Sequence, residues 1–333
     1  MSLRREKQLV FTNITANSLL PADHRYRRIA GLLDLRSAEN EFANLYSKVG
    51  APGIDIHQGL RMLIVQFMED FSDREMEAAV AENIAVKWFC GYELADSTPD
   101  HSYFGKLRKR LGTKSVAKIF NQVVGQLEAA GLVGGLYQFI DSSAIVAKTN
   151  QWAERDKARD NGDDNLNNGN VSKYAADKDA RFGCKGKKKY WFGYKRHVNT
   201  DMRQGLITKV AVTPANVPDS RGLDRVLRPG GMAVLDKAYC GGDAAQTLRA
   251  KGCHNGAIKK RNMRGKNRDR DRFLSQLRMP YESVFSKQNR RSRYRGLAKN
   301  QFQAFMQALV HNLKRWLVIV SPTLNVALEP APA

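Results

Sequence analysis

The chain has 333 residues, of which 55 are Lys or Arg and 33 are Asp or Glu, so its formal net charge is +22. A surplus of this size favours a polyanionic partner and argues against an enzyme of small neutral metabolites. Hydrophobic residues make up 42% and charged residues 26%, which is typical of a globular chain and excludes a disordered one. This length is expected to hold one large or two modest domains without disulfide staples.

No apolar run approaches the roughly 18 residues needed to cross a bilayer. The N-terminal MSLRREKQLV lacks the apolar stretch of a signal peptide. The four cysteines lie far apart without a CxxC pair, a pattern typical of reduced thiols that makes a zinc site unexpected. We therefore expect a cytoplasmic protein with no membrane contact.

Residues 1–130 are predicted to be helical. Apolar residues in HQGLRMLIVQFMED recur at the spacing of one helix face. Ser72 and Glu75 fit a capping box, so a helix is predicted from Asp73 to about Glu82. Two further helices are predicted on either side of Gly112. The first of them, in HSYFGKLRKRLG, is basic, and both DNA contact and a solvated surface remain open for it.

From Leu136 the pattern changes to strands. Five are predicted, in YQFIDSSAIVAK, YWFGYKRHVNT, LITKVAVT, MAVLDKAY and, more weakly, HNGAIK. The second and third are joined by a turn at 201–205 and should form an antiparallel hairpin. Helices between and after these strands predict an α/β layer structure. The last helix, from Lys299 to about Ile319, has an apolar stripe typical of core packing.

Segment 151–172 interrupts this order. It includes DNGDDNLNNGN and has almost no apolar residues, so we expect a mobile insertion that cannot bury enough surface to order itself. A calcium loop is excluded, because the positions that need Gly and a bidentate Glu hold Asn168 and Tyr174.

The positive charge is concentrated in two segments. Nine Lys/Arg and two Asp lie between Lys173 and Arg196, and fifteen Lys/Arg and three acids lie between Lys259 and Lys299. Such clustering indicates binding to a phosphate backbone. A solubilising surface is the alternative, although dispersed charge would serve that purpose equally well.

Three carboxylates stand in unusual places. Asp141 lies within an apolar strand and Asp236 ends another, where an ionised group is costly unless it is paired or bound to metal. Glu282 lies among many arginines. Other interpretations remain open: Asp141 as a cap, Asp236 as a turn former, and Glu282 as a partner of Arg278 four residues earlier. Carboxylates beside a basic surface favour two Mg²⁺ or Mn²⁺ ions acting on a phosphodiester.

Long strings in this chain resemble the bacterial insertion-sequence transposases that have a DDE triad, the InsH-like group. They include FSDREMEAAVAENIAVKWFCGYELADSTPDHSYFGKLRKRLG, GYKRHVNTDMRQGLITKVAVTPANVPDS, VLDKAYCG and RYRGLAKNQFQAFMQALVHNLKR. The resemblance implies a ribonuclease-H-like catalytic domain at 131–325, with a mixed sheet and flanking helices. An all-helical DNA-binding or dimerisation domain at 1–130 would precede it, and a tail at 326–333 would follow.

The resemblance also implies site residues. Asp141, Asp236 and Glu282 would be the catalytic and metal-binding triad, with Asp236 ending the fourth strand and two Mg²⁺ (or Mn²⁺) ions bound. Arg278 matches the arginine of the related Y-(2)-R-(3)-E-(6)-K pattern, whose Tyr and Lys positions hold Ser275 and Asn289 here. The expected DNA-binding residues are Arg278, Lys287, Arg290, Arg291, Arg293, Arg295, Lys187, Lys188, Lys189 and Lys195.

The roles of four residues in the predicted strand YWFGYKRHVNT remain open. Tyr190, Trp191 and Tyr194 are expected either to stack on unpaired bases or to pack on the strand face. His197 is expected to make a structural hydrogen bond in preference to a catalytic one.

The implied function is a DNA transposase that cleaves the ends of an insertion sequence and joins the freed 3′-hydroxyl to target DNA. Its partners would be double-stranded terminal inverted repeats, target DNA and a second copy of the chain. One alternative is a catalytically silent or domesticated relative that only binds DNA ends. A basic RNA-associated structural protein is a third interpretation, but it does not explain carboxylates at two strand positions.

Overall fold

The structure is a computed structural model that describes residues 15–35, 42, 53–149, 151–186, 189–286 and 289–327. The chain divides into two compact units, Met1–Arg110 and Leu111–Ala333. This division falls inside the segment 1–130 that the sequence interpretation assigned to a first domain. Each unit is described by itself below.

The described residues of the first unit form helices. Their bounds are α1 Ala16–Leu19, α2 Arg25–Leu32, α3 Ile56–Met68, α4 Asp73–Glu82 and α5 Ile84–Phe89, followed by the start of α6, His101–Ala129. The predicted capping box is confirmed: the Glu75 N–H donates to Ser72 Oγ at 3.2 Å, and the Ser72 N–H donates to Glu75 Oε2 at 2.7 Å. The apolar face predicted for α3 is buried.

Helix α6 contains a break where the sequence predicts one. Gly112 has φ 63° and ψ 178°, which no helical residue adopts. A positive φ is easy for glycine because it has no Cβ to clash with the backbone. The two predicted helices are therefore present, and they meet at the non-helical Gly112.

The second unit contains one six-stranded mixed sheet. The strands are β1 Tyr137–Val146, β2 Arg181–Lys185, β3 Lys189–Asp201, β4 Leu206–Pro214, β5 Met232–Leu235 and β6 His254–Ala257. Their order is β2-β3-β1-β5-β6, and β4 also pairs with β3. The predicted hairpin is confirmed, because β3 and β4 pair antiparallel with Asp201 opposite Leu206.

Asp236 follows the fifth strand of the sheet, whereas the sequence analysis counted the fourth. The strand that was missed, β2, has the sequence RFGCK and a single buried residue, so it lacks the apolar alternation of a strand. It pairs antiparallel with the start of β3, and that neighbour determines its conformation.

Helices cover both faces of the sheet. They are α7 Gln151–Asp160, α8 Val171–Tyr174, α9 Asp219–Val226, α10 Gly242–Ala250, α11 Arg268–Ser286 and α12 Leu297–Ala327. Leu235 packs in one core cluster with Leu223 of α9 and Leu248 of α10. Val234 points to the opposite face and packs in a second cluster with Leu274 of α11. The apolar stripe predicted for the last helix is largely buried, which confirms its core role.

Segment 151–172 corrects the expectation that it cannot order itself. Its described residues include α7 and the start of α8, and Ala158, Leu166 and Val171 are buried. Polar bonds supply the remaining order: the Glu154 carboxylate is buried and accepts the Ala176 N–H at 3.0 Å. A small number of contacts therefore orders a segment whose composition predicts mobility.

Among the described helices none is long and apolar enough to span a membrane.

Candidate active site

Asp141 and Asp236 lie at the same level of two neighbouring strands. Strands β1 and β5 are parallel and in register from Tyr137 opposite Met232 to Ile140 opposite Leu235. Each aspartate is the next residue after the last of these pairs. Neighbouring strands lie about 4.8 Å apart, so the two backbones are separated by one strand spacing. Two carboxylates 95 residues apart in sequence are thus brought together by the register of the sheet.

The Asp141 carboxyl is held in a poorly solvated position. Burial raises its pKa to about 6, and the negative charge of Asp236 acts in the same direction. Three groups oppose that rise in pKa: the Ser142 N–H, which donates to Asp141 Oδ1 at 2.8 Å, and the positive charges of Lys185 and Arg278. Ionising the Asp141 carboxyl therefore costs free energy in the protein without a bound ligand, and a bound cation would stabilise the ionised form.

Helix α11 brings the third acid to the same region through an arginine. Arg278 Nη1 lies 3.1 Å from Asp236 Oδ1, and Nη2 of the same guanidinium lies 3.7 Å from Glu282 Oε1. Arg278 is nearly buried and lies over the ring of Phe139 on β1. The proposed partnership of Glu282 with Arg278 is present, and it also links Glu282 to Asp236.

Local capping bonds are present as well. Asp236 Oδ1 accepts the Lys237 N–H at 2.6 Å at the start of a 3₁₀ turn, Lys237–Tyr239. The turn-forming and capping interpretations of the two aspartates thus coexist with their placement side by side. The bond from Lys237 to Asp236 and the bond from Ser142 to Asp141 each use one carboxylate oxygen, so each aspartate keeps an oxygen that can accept another ligand.

The oxygen donors fit a hard divalent cation in kind, because Mg²⁺ and Mn²⁺ prefer carboxylate ligands. Asp141 and Asp236 follow neighbouring parallel strands at the same level, and burial raises the pKa of Asp141, so a bound cation would stabilise its ionised form. In the described part of the chain, no three His, Cys, Asp or Glu side chains lie close enough together to hold a metal ion. Glu282 contacts Arg278 instead.

A basic segment runs beside the end of β1. Arg291 forms a parallel bridge with Val146, fixed by bonds from the Val146 N–H to the Arg290 carbonyl and from the Ser292 N–H to the Val146 carbonyl, both 2.8 Å. Arg290, Arg291 and Arg295 are exposed and Arg293 is half-buried. Four of the expected DNA-binding residues therefore lie along one backbone segment. This segment is bridged to β1 at Val146, five residues beyond Asp141.

The basic residues around β3 are divided between surface and interior. Lys189 is exposed, whereas Lys195 Nζ pairs with Asp219 at 2.9 Å and is largely buried. Arg196 is fully buried and bonds to Gln307 and Ser143. Three other expected DNA-binding residues, Lys187, Lys188 and Lys287, lie outside the described residues.

The aromatic residues of β3 are divided in the same way. Tyr194 is fully buried with its hydroxyl donating to Asp177 at 2.6 Å, so base stacking is excluded for it. Trp191 is half-buried and donates to the Tyr194 carbonyl at 3.0 Å. Tyr190 is 71% exposed. Strand packing is therefore correct for Tyr194, and base stacking stays a prediction for Tyr190.

Two family models match this chain. One, described as "Transposase domain (DUF772)", matches residues 14–110, and the other, described as "Transposase DDE domain", matches residues 137–313. The second match covers more than half of the chain and includes both strand-end aspartates and Glu282. The chain belongs to the DDE transposase family.

A curated relative supports the assignment. The transposase for insertion sequence element IS1106 of Neisseria meningitidis serogroup B is 33% identical over 149 residues, which is 41% of this chain and 51% of that protein. The match therefore spans about half of the relative's length.

Two solved structures show limited likeness to this chain. The piggyBac transposase synaptic complex with hairpin DNA has a TM-score of 0.43 at 11% identity, covering 92% of this chain and 75% of that one. The Mos1 transposase paired-end complex with left transposon end has a TM-score of 0.18 at 7% identity, covering 87% and 88%. Neither score is high enough to bear on the fold.

His197 has the structural role that was expected of it. It is fully buried, and its Nε2 lies 2.9 Å from Thr213 Oγ1. Burial lowers its pKa to about 4. Gly222 of α9 lies directly against the ring, and a Cβ there would overlap it. This histidine fixes α9 on the sheet and is closed to solvent.

Two residues near the carboxylates were missed from the sequence. Lys185, at the end of β2, is close enough to lower the pKa of Asp141, and it was missed because β2 was not predicted. Tyr239 is fully buried, and this burial raises its pKa, with the charges of Asp219, Asp141 and Asp236 acting in the same direction. Its position three residues after Asp236, in a 3₁₀ turn, was the available signal.

Proposed function

We propose that this chain is a DNA transposase that cleaves the ends of an insertion sequence and transfers the resulting 3′-hydroxyl to target DNA. The observation that carries the proposal is the register that sets Asp141 beside Asp236, with Arg278 connecting Asp236 to Glu282. Family membership supports the same reaction class.

Asp141, Asp236 and Glu282 are the proposed ligands of two divalent ions, Mg²⁺ or Mn²⁺. Such ions make a hydroxyl more nucleophilic and stabilise the negative charge that develops on a phosphate during displacement. The role of the protein is to supply hard oxygen ligands on fixed backbone. Asp141 suits that role because burial raises its pKa and a bound cation would offset the cost of ionising it.

The remaining site residues are proposed to bind and orient the DNA. Arg290, Arg291 and Arg295 are exposed along one extended segment, so their guanidinium groups can contact successive phosphates in bidentate fashion. Arg278 is proposed to neutralise the phosphate next to the carboxylates. Lys189 and Tyr190 offer a second contact with backbone and base.

The finer fold assignment is also proposed. Strands β1, β3 and β4 form a consecutive antiparallel set, β5 and β6 add in parallel on the other side of β1, and helices cover both faces. This arrangement supports a ribonuclease-H-like catalytic domain at 131–325. A helical DNA-binding or dimerisation domain at 1–130, a tail at 326–333 and a homodimer on DNA complete the proposal.

A second function, DNA-end binding without cleavage, has one observation in its favour. In the described residues, Glu282 contacts Arg278 and does not form a three-carboxylate group with the two aspartates. A silent relative would retain the basic surface and bind its DNA without cutting it.

The test uses the DNA that flanks the gene, end-labelled, incubated with the full chain and Mg²⁺. We expect cleavage at the element end by the parent and none by Asp141→Asn, with DNA binding by both. Binding without cleavage by the parent supports the second function. Full cleavage by Asp236→Asn contradicts the metal assignment.

A further inference from the structure

The loop between β6 and α11 emerges from the same edge of the sheet as the two aspartates. Strand β6 is parallel to β5, with Leu235 opposite Ala257, and the Ile258 N–H still donates to the Leu235 carbonyl at 3.1 Å. The loop thus begins one strand beyond Asp236 and two strands beyond Asp141. Two strand spacings are about 10 Å, which is about three base-pair steps of duplex DNA.

Segment 259–272, which covers this loop and the first turn of α11, has eight Lys/Arg and two Asp. Some of these cations hold the loop together. Lys259 Nζ donates to the Arg264 and Gly265 carbonyls at 3.2 and 2.9 Å, and Arg270 donates to the Asn255 and Ala257 carbonyls. Asp271, which is buried, accepts the Lys259 N–H at 3.3 Å.

The exposed basic side chains of the segment do not make such bonds. Five basic side chains of the segment are exposed, and none forms a hydrogen bond or ion pair with any part of the chain that the structure describes: Lys260, Arg261, Arg264, Arg268 and Arg272. Holding five like charges close together is unfavourable, and a surface that only needed solubility would spread them out. A loop that is held by its own hydrogen bonds and exposes unpaired cations is suited to bind a polyanion.

The loop and segment 289–295 supply positive charge at two different places beyond the carboxylates. Arg291 is bridged to Val146, five residues past Asp141 along β1, whereas the loop begins at the end of β6, which lies next to β5 and Asp236. A DNA strand whose phosphate is at Asp141 and Asp236 can therefore meet positive charge along β1 and across the sheet. Segment 289–295 accounts for the first direction, and the loop accounts for the second.

We infer that the free cations of loop 259–272 bind the phosphate backbone of duplex DNA about three base pairs from the scissile phosphate, at a place separate from segment 289–295. The inference rests on the proposed function, because it places the scissile phosphate at the two aspartates. It adds a second DNA-contacting surface that is built on the parallel edge of the sheet.

The test compares two matched double variants of the full chain, Arg261→Ala/Arg264→Ala and Arg225→Ala/Arg249→Ala. Arg225 and Arg249 are equally exposed but lie in the last turns of α9 and α10, which lead away from the carboxylate edge. Both pairs remove two positive charges. The loop pair leaves intact the backbone bonds made by Lys259, and thermal unfolding checks that both variants fold.

Affinity for a 30-base-pair duplex of arbitrary sequence is measured against salt concentration, since phosphate contacts do not depend on sequence. Each lost contact lowers the slope of log K against log[salt] by about 0.9. We expect the slope to fall by about 2 in the loop variant and to stay unchanged in the control. Equal slopes in the two variants overturn the inference, because they would show that the cations of the loop contact solvent and not DNA.

A second arm uses flanking DNA cut back to the cleavage site on one side or the other. The loss of affinity caused by the loop variant should disappear with one truncation only. Persistence with both truncations overturns the proposed location. If the parent neither cleaves its flanking DNA nor binds duplex with a steep salt dependence, the proposed function itself fails, which is a different result from equal slopes.

Discussion

The guanidinium of Arg278 lies 3.1 Å from the carboxylate of Asp236. The same group reaches Glu282 at 3.7 Å, so one positive charge lies between two of the three acids proposed to hold metal. A cation fixed at this place opposes the approach of a second one. Arg278 therefore has two effects in the proposed reaction: it attracts phosphate and it weakens the binding of the metal.

Arg278→Ala should tighten Mn²⁺ binding to the DNA-free protein while it lowers cleavage. Two unit charges about 4 Å apart interact by roughly 4 kcal/mol at an effective dielectric near 20, and partial exposure of Asp236 reduces this. We expect about a tenfold gain in affinity, measured by calorimetric titration. Arg278→Lys retains the charge and should bind Mn²⁺ like the parent. Unchanged or weaker Mn²⁺ affinity in Arg278→Ala would contradict the competition.

Asp141→Asn and Asp236→Asn should each lower the rate of Mg²⁺-dependent cleavage by about 10³-fold, because charge stabilisation by a bound metal is worth several kcal/mol. Initial rates on labelled flanking DNA measure the effect. Asp160→Asn is the matched control, since Asp160 is an exposed carboxylate at the end of α7. A control that loses as much activity as the two test variants would argue against a specific role for them.

Asp141→Asn should stabilise the metal-free protein at neutral pH. Burial raises the Asp141 pKa from 3.8 to about 6, so the folded state binds more protons than the unfolded state between these values. Stability is therefore lost as pH rises from about 4 to about 6. One pKa unit corresponds to about 1.4 kcal/mol, which gives a gain of roughly 3 kcal/mol above pH 6 in the variant.

Urea unfolding in EDTA, at pH 7.5 and at pH 4, measures this gain. The advantage of Asp141→Asn should be present at the higher pH and nearly absent at the lower one. A variant that is less stable than the parent at pH 7.5 would show that the carboxylate contributes favourable contacts that outweigh its desolvation.

His197 should make the protein sensitive to acid in the opposite sense. Its pKa falls from 6.5 to about 4 on burial, so the unfolded state binds more protons in this range. Its stabilising contribution is present above about pH 6.5 and is lost as pH falls to about 4, by roughly 3 kcal/mol. The groups that act on it are Asp219, Lys195 and Arg225.

His197→Gln, which retains a hydrogen-bonding group near Thr213, should remove this part of the acid sensitivity. The measurement is the difference in unfolding free energy between parent and variant at pH 7 and pH 4.5, in which the contribution of Asp141 cancels. His254→Gln is the control, because His254 is exposed at the start of β6. Equal pH profiles for the parent and His197→Gln would show that the buried ring does not titrate as described.

Local features of the chain were predictable because they depend on a few neighbouring residues. The capping box begins α4 at Asp73, and apolar runs predict β1, β3, β4 and β5. Strand β2 could not be found in this way, since RFGCK becomes a strand only through pairing with β3. The order in segment 151–172 likewise depends on contacts such as Glu154 with Ala176, which its composition does not reveal.

The amino-acid sequence by itself determined the positive charge, the two acids at strand positions and the resemblance that predicted a DDE transposase, since each can be read from residue types and their spacing. Only the tertiary structure decided which groups meet. Asp141 lies beside Asp236 through parallel pairing across 95 residues, and Arg278 connects Asp236 to Glu282. Lys195 is largely buried and Arg196 fully buried, whereas Arg261 and Arg264 are exposed. Strand register and burial arise from packing between distant segments, and no local pattern specifies them.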